Sequence, residues 1–111
     1  MHTGGTSGKS KAVLLTNDNL NSMVHAQRVT AKNFAEGDVM LTIMPVFHGF
    51  GLCSSVHMPL SYGVSVVLWP KFESKKLKSM YEKNNVNHMF GIPKLFECLI
   101  KENVDLTNAG Y

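Results

Sequence analysis

The sequence lacks the features that would indicate a disulfide-rich, membrane-spanning or disordered protein. Only two cysteines occur among its 111 residues, Cys53 and Cys98, and their spacing matches no disulfide framework or metal motif. No apolar run approaches the ~20 residues that a membrane-spanning helix needs, and no signal-peptide pattern is present. Charged residues make up 17% and hydrophobic residues 44%, which is typical of a folded domain. We therefore expect a cytoplasmic protein with reduced thiols and no transmembrane segment.

The sequence also has only a small excess of positive over negative charge. The net charge is +3 and the isoelectric point about 9.0, which does not by itself indicate a nucleic-acid partner. Lysines concentrate on one predicted helix, at Lys75, Lys76, Lys78 and Lys83. A nucleic-acid patch and a solvated helix face both fit this pattern. We predict the solvated face and no nucleic-acid partner, because such charge runs usually face water.

What the sequence does contain is a loop of unusual composition at residues 3–11. It combines glycines, hydroxyl side chains and lysines: Thr3, Gly4, Gly5, Thr6, Ser7, Gly8, Lys9, Ser10 and Lys11. Glycines let backbone N–H groups approach phosphate oxygens, hydroxyls donate hydrogen bonds, and lysine supplies a positive charge. The composition predicts a polyphosphate-binding loop, and the alternative is a flexible Gly/Ser turn or tag remnant.

A Walker-type loop is one form that such a site takes. Residues 8–10 fit the end of G-x-x-x-x-G-K-[ST], but its first position falls on Thr3 instead of glycine. A Walker loop also opens into a helix, whereas residues 12–15 are apolar and β-branched and predict a strand. We expect a hairpin tip here. A helix beginning at Ser10 would instead favour a P-loop nucleotide-binding protein.

The loop resembles the phosphate-loop signature of the AMP-forming adenylating enzymes, [ST]-[SG]-G-[ST]-[ST]-G-x-P-K-G-V. Residues 3–8 and Lys11 match, while Ser10 and Ala12 replace the common proline and glycine. A second block, residues 44–52, resembles the family segment P-x-F-H-x-x-G-[LM]. Both blocks are specific to the family and occur in the family's order. The resemblance covers essentially the whole chain.

This superfamily includes acyl-CoA synthetases, luciferases and the adenylation domains of peptide synthetases. The resemblance implies a ligase that activates a carboxylic acid, possibly a fatty acid, as an acyl-adenylate and then transfers it to a thiol. The implied partners are ATP, the acid and coenzyme A, with a carrier-protein thiol as the open alternative. Mg²⁺ is implied too, with its ligands beyond this chain.

The resemblance also implies roles for individual residues. Those that would hold the β- and γ-phosphates of ATP are Thr3, Gly4, Gly5, Thr6, Ser7, Gly8 and Lys11. Lys11 would act in catalysis by neutralising charge, with Lys9 facing solvent. Phe47, His48 and Gly49 would line the acyl and adenylate pocket. The alternative for His48 is a histidine hydrogen-bonded to backbone groups at a strand end.

Other histidines and cysteines give weaker signals. His48, Cys53 and His57 together fit no standard zinc spacing, so we predict no metal site. His2, His25 and His88 lie in no motif.

Hydrophobic patterns predict alternating helices and strands. The predicted helices cover 17–33, part of 48–62, 73–84 and a segment from Pro93, and the predicted strands cover 39–44, 64–69 and 88–92. Thr16 is the predicted N-cap of the first helix. We expect strands 39–44 and 64–69 to be buried, and residues Leu95, Phe96, Leu99 and Ile100 to face inward. Alternation predicts an α/β fold with a mostly parallel sheet and crossover helices.

The resemblance further implies that residues 1–111 are part of the large N-terminal domain of such an enzyme. The acidic Mg²⁺ motif, the ribose-binding aspartate and the C-terminal lysine of the family have no counterpart here. We therefore expect a fragment that works with the rest of a parent chain and is inactive alone. A non-catalytic remnant of the fold is the remaining alternative.

Overall fold

The chain folds as short helices and strands in alternation. The computed structural model describes residues 1–2, 8–31, 33–107 and 109. The elements in chain order are α1 (Asn17–Thr30), β1 (Val39–Thr42), a π-helix (Phe50–His57), α2 (Met58–Ser61), β2 (Ser65–Leu68), a 3-10 turn (Ser74–Lys76), α3 (Leu77–Lys83), β3 (His88–Met89) and α4 (Pro93–Lys101). No helix within the described ranges is long and apolar enough to cross a membrane.

The sheet has three strands in the order β2-β1-β3, with β1 in the centre. Both pairings are parallel, and Met40 of β1 lies opposite Val66 of β2 and His88 of β3. The predicted α/β class with a parallel sheet and crossover helices is therefore confirmed. Each observed strand is shorter than predicted.

The two faces of β1 pack against different helices. Leu41 is fully buried in a core formed with α3 and α4, whose other members are Trp69, Leu77, Tyr81, Val86, Leu95 and Leu99. Because side chains alternate along a strand, Met40 and Thr42 lie on the opposite face, where Thr42 contacts the π-helix. Helices thus cover both faces of the central strand.

Helix α1 begins as predicted. Thr16 Oγ1 accepts a hydrogen bond from the Asn19 N–H at 3.2 Å, and Asn19 Oδ1 accepts one from the Thr16 N–H at 3.1 Å. This reciprocal capping box satisfies two N–H groups that the first helical turn leaves without partners. The helix ends at Thr30, earlier than the predicted residue 33. Near this end the Tyr62 hydroxyl hydrogen-bonds to the Ala31 carbonyl at 2.8 Å.

The predicted helix within residues 48–62 changes type along its length. It is a π-helix over Phe50–His57 and continues as α2 until Ser61. Pro59 lies at the start of α2, so the helix changes geometry beside it and extends past it. Ser55 lies within the π-helix, and Thr42 Oγ1 at the end of β1 donates a hydrogen bond to its carbonyl at 2.6 Å.

Three expectations about exposure and extent are wrong. Residues 12–15 do not form a strand, since only an isolated antiparallel bridge joins Ala12 to His2. Strand β2 is not buried, because it is an edge strand and Leu68 is 58% exposed. Phe96 and Ile100 face outward, at 46% and 78% exposure, while Leu95 and Leu99 are buried as predicted. The short helix α4 packs against the core with the face that carries Leu95 and Leu99, and Phe96 and Ile100 lie outside that face.

Candidate functional site

The segment that links β1 to the π-helix lies at the carboxyl edge of the sheet. The His48 N–H donates to the Pro45 carbonyl at 3.1 Å, and the Leu52 N–H donates to the His48 carbonyl at 2.9 Å. These bonds turn the chain from the strand into the helix. The turn leaves Phe47 82% exposed, beside the central strand.

Gly51 permits this turn. A Cβ atom on Gly51 would lie 2.1 Å from the Pro45 carbonyl oxygen, far inside van der Waals contact. Only glycine therefore fits where the helix approaches the backbone of the preceding segment. The sequence motif predicted a glycine here without predicting this contact.

His48 is exposed, and its ring is oriented by the chain that follows it. Its Nδ1 accepts a hydrogen bond from the Phe50 N–H at 3.2 Å. In the neutral imidazole that bond places the remaining proton on Nε2, which is then a hydrogen-bond donor. The backbone contact expected from the structural alternative is thus present. The same bond fixes the orientation of the ring, as a binding role would also require.

The described part of the phosphate-loop segment lies next to the chain start. Residues Thr3, Gly4, Gly5, Thr6 and Ser7 lie outside the described residues. Gly8 has φ +81°, a backbone conformation that favours glycine, and Lys9 and Lys11 are exposed.

The base of this loop has hairpin character. The Val13 N–H donates to the Met1 carbonyl at 2.7 Å, and His2 pairs with Ala12. No helix starts at Ser10, since α1 begins only at Asn17. The geometry required by a Walker loop is therefore missing.

The chain at the base of the first predicted block lies near the second block, although the two are far apart in sequence. A Cβ atom on Gly49 would lie 3.6 Å from Sδ of Met1 and 3.7 Å from its Cε. Met1 is paired with Val13 at the base of the loop, and Gly49 follows His48. The base of the phosphate loop thus lies against the segment that holds the predicted pocket residues.

Two apolar clefts open at the same edge of the sheet. One of about 270 Å³ lies between the ends of β1 and β2, and its lining includes Thr42, Phe47 and Trp69. The other, of about 390 Å³, lies between the segment after β1 and helix α4, with Met44 and Ile92 in its lining. The second lies between β1 and β3, and the helices that follow these two strands pack on opposite faces of the sheet, an arrangement at which open α/β sheets bind ligands.

One buried polar pair was missed by the motif analysis. His88 Nε2 lies 2.8 Å from Asp38 Oδ2, and the His88 ring packs 4.3 Å from the Phe34 ring. The hydrogen bond with His88 lowers the pKa of the Asp38 carboxyl below its ordinary value. Both residues lie at the starts of adjacent strands, and the sequence contained no other signal that they would pair. The pair lies at the amino edge of the sheet, away from the clefts.

The remaining cysteine and histidine side chains form no metal site in the part of the chain that the structure describes. His57 Nε2 lies 3.0 Å from the Asn21 side-chain oxygen. Cys53 and Cys98 are both free thiols, and burial raises the pKa of Cys53. Cys53 therefore stays protonated at neutral pH and is a poor nucleophile or ligand.

Comparison with known proteins identifies the family. The family described as AMP-binding enzyme matches residues 1–110. The chain belongs to this family. A 4-coumarate-CoA ligase of Narcissus pseudonarcissus is 36% identical over 109 residues, covering 94% of this chain and 20% of that enzyme. A long-chain-fatty-acid–CoA ligase of Bacillus subtilis is 28% identical over 100 residues, covering 89% of this chain and 18% of that enzyme. The chain thus spans about a fifth of the length of these curated relatives.

Solved structures of AMP-binding enzymes share the fold. The o-succinylbenzoate coenzyme A synthetase of Bacillus subtilis in complex with AMP superposes with a TM-score of 0.84 at 25% identity, over 98% of this chain and 28% of that one. The same enzyme with ATP and magnesium ion superposes with a TM-score of 0.79 at 26% identity, over 92% of this chain and 21% of that one.

Proposed function

We propose that this chain forms part of an ATP-dependent, AMP-forming acid–thiol ligase. The observation that carries the proposal is the packing of Met1 against Gly49, which brings the base of the phosphate loop beside the predicted pocket segment. A loop that binds phosphates must lie next to the acid if the two are to react. Membership of the AMP-binding enzyme family supports the same reaction class.

ATP would bind through the loop of residues 3–11. The described residues fit an anion, since Gly8 has the positive φ that lets backbone N–H groups turn toward a phosphate, and Lys11 is exposed nearby. In this proposal residues 3–8 hold the β- and γ-phosphates and Lys11 stabilises the charge that grows as pyrophosphate leaves. Mg²⁺ would shield phosphate charge, with ligands outside these residues.

The acid would lie between this loop and the segment of Phe47, His48 and Gly49. A carboxylate oxygen attacks the α-phosphorus of ATP, the bond to pyrophosphate breaks, and an acyl-adenylate remains. The sulfur of coenzyme A then attacks the acyl carbon, the bond to AMP breaks, and a thioester forms. The chain contributes orientation and hydrogen bonds, because Nε2 of His48 can donate to an acid oxygen while Phe50 holds Nδ1.

The acid is proposed to carry an apolar aryl or fatty body. The clefts at the carboxyl edge are lined mainly by apolar side chains such as Trp69, Met44 and Ile92. Apolar lining with few polar groups suits an apolar ligand whose polar end lies elsewhere. Relatives named for 4-coumarate and for long-chain fatty acids bracket this range.

Acid-dependent ATP–pyrophosphate exchange tests the proposal. The assay uses the native polypeptide that carries this chain, with hydroxycinnamic, aromatic and fatty acids as substrates. We expect exchange with at least one acid, and we expect Lys11→Ala to lower its kcat roughly a hundredfold, because a charge that stabilises the transition state is lost.

Lys9→Ala is the matched control, because Lys9 is an exposed lysine two residues away with no assigned role. Equal losses in both variants would contradict the role of Lys11. Phosphate release from ATP without exchange would favour a nucleotide hydrolase. The absence of both activities would mean a non-catalytic remnant of the fold.

A further inference from the structure

We propose that Thr42 is a positioning residue for the pocket segment, through its hydrogen bond to the Ser55 carbonyl. The inference rests on the proposed function, since it concerns the same site. Thr42 ends β1 and is 3% exposed, and its hydroxyl donates to the Ser55 carbonyl at 2.6 Å. A buried threonine hydroxyl in this position has a specific partner and lies at the start of the segment it would position.

The bond lies where water cannot replace it. Ser55 is 1% exposed, so no water is available to bind its carbonyl when the Thr42 hydroxyl is removed. A buried polar group that loses a hydrogen-bond partner destabilises the folded state.

The bond closes the segment that carries the pocket residues. Residues 43–54 run from Thr42 to Ser55, so the hydrogen bond joins the two ends of this segment. Inside it, the His48 N–H bonds to Pro45 at 3.1 Å and the Phe50 N–H bonds to His48 Nδ1 at 3.2 Å. The position of His48 therefore depends on where the π-helix lies against β1, and Thr42 sets that position.

Substitutions at residue 42 test this role directly. Thr42→Val keeps the shape of the side chain and removes the donor, while Thr42→Ser keeps the donor. In the native polypeptide we expect Thr42→Val to raise the KM for the acid roughly tenfold in ATP–pyrophosphate exchange, with the KM for ATP unchanged, because only the acid segment shifts. Thr42→Ser should restore the KM for the acid.

A second measurement tests the hydrogen bond itself. Thr42→Val should lower the Tm by several degrees, because a buried carbonyl loses a donor, whereas Thr42→Ser should lower it less. This comparison does not depend on activity.

The outcomes separate the two proposals. Suppose that the native protein catalyses exchange. If Thr42→Val then leaves the KM for the acid unchanged, or changes the KM for the acid and the KM for ATP equally, the positioning role is overturned and the proposed ligase function stands. Equal Tm losses in Thr42→Val and Thr42→Ser would overturn the role of the hydrogen bond. No exchange with any acid would overturn the proposed function and the positioning role together, while the Tm comparison would still measure the hydrogen bond.

Discussion

At the scale of single residues, the Asp38 carboxylate holds the starts of two parallel strands together. Its Oδ2 accepts hydrogen bonds from His88 Nε2 at 2.8 Å and from the Ala35 N–H at 2.9 Å. His88 is 7% exposed, so the pair lies largely out of water. The bond to His88 lowers the pKa of Asp38, which means that the folded state favours the ionised carboxylate.

We predict that this pair makes stability fall in acid. Because the folded-state pKa of Asp38 lies below its ordinary value of 3.8, the stabilisation is fully present above that pH and is lost as the pH falls below it. Asp38→Asn should lower the free energy of unfolding by about 1–2 kcal/mol at pH 7, with a smaller difference below pH ~4. Chemical denaturation at several pH values measures this.

Glu36→Gln is the control, since Glu36 is an exposed carboxylate of the same turn. A difference between native and Asp38→Asn protein that stays constant from pH 7 down to pH ~3 would contradict the prediction.

At the scale of elements, the junction between β1 and the π-helix is held by several close contacts. The Thr42–Ser55 hydrogen bond joins its ends, and Gly51 lets the helix approach the Pro45 carbonyl. The π-helix places four buried small residues against α1 and β1: Gly51, Cys53, Ser54 and Ser55. Gln27 of α1 donates to the Ser54 hydroxyl at 2.8 Å and adds a polar link between the two helices.

Gly51→Ala should be poorly tolerated. Its Cβ would lie 2.1 Å from a backbone oxygen that no rotamer change can move. We expect a loss of about 2 kcal/mol or more, which is within the range of overpacked sites, measured by thermal or urea unfolding.

Gly49→Ala is the matched control for stability, because its Cβ would have nothing closer than 3.6 Å, an ordinary contact. Equal stability of the two variants would show that the helix does not approach Pro45 as closely as described.

At the scale of the whole molecule, the described part of the chain exposes strand edges and apolar side chains. The sheet has three strands, so β2 and β3 both lie at its edges. Leu68 on β2 is 58% exposed, and Ile100 on α4 is 78% exposed. Unpaired strand edges with apolar side chains pair readily with other chains.

We therefore expect the isolated 111-residue chain to self-associate through the β2 edge. Leu68→Lys should reduce the association, because a lysine on an edge strand opposes strand pairing. Val29→Lys is the control, since Val29 is 63% exposed but lies on helix α1. Sedimentation analysis at micromolar concentrations measures both. The role of the β2 edge would be contradicted if the isolated chain without substitutions is monomeric, or if Leu68→Lys and Val29→Lys affect association equally.

Local patterns predicted the elements and their types well. The capping residue Thr16, the helix from Pro93 and the buried pair Leu95 and Leu99 follow from side-chain chemistry within a few positions. They were predictable because caps, proline and helical spacing act over one or two turns. The fold class followed from alternation of elements, and the family from two motifs.

Some of the site required the folded chain. Residues 12–15 were predicted as a strand because they are apolar, yet only Ala12 has a bridging partner. Phe96 and Ile100 were predicted to face inward because they fit the helical spacing, yet the described chain leaves them 46% and 78% exposed. The hydrophobic pattern of a sequence indicates on which face of a helix or strand a residue lies. Whether that residue is buried depends on which other elements pack against the face.

The sequence by itself determined the family, the parallel α/β class and the residues expected to bind phosphate and acid, because motifs and periodicity are local. Tertiary structure alone decided which residues distant in the sequence meet. Met1 lies against Gly49, Asp38 binds His88, and Thr42 donates to the Ser55 carbonyl. Each contact joins residues more than ten positions apart, and the distance between such residues depends on how the elements pack.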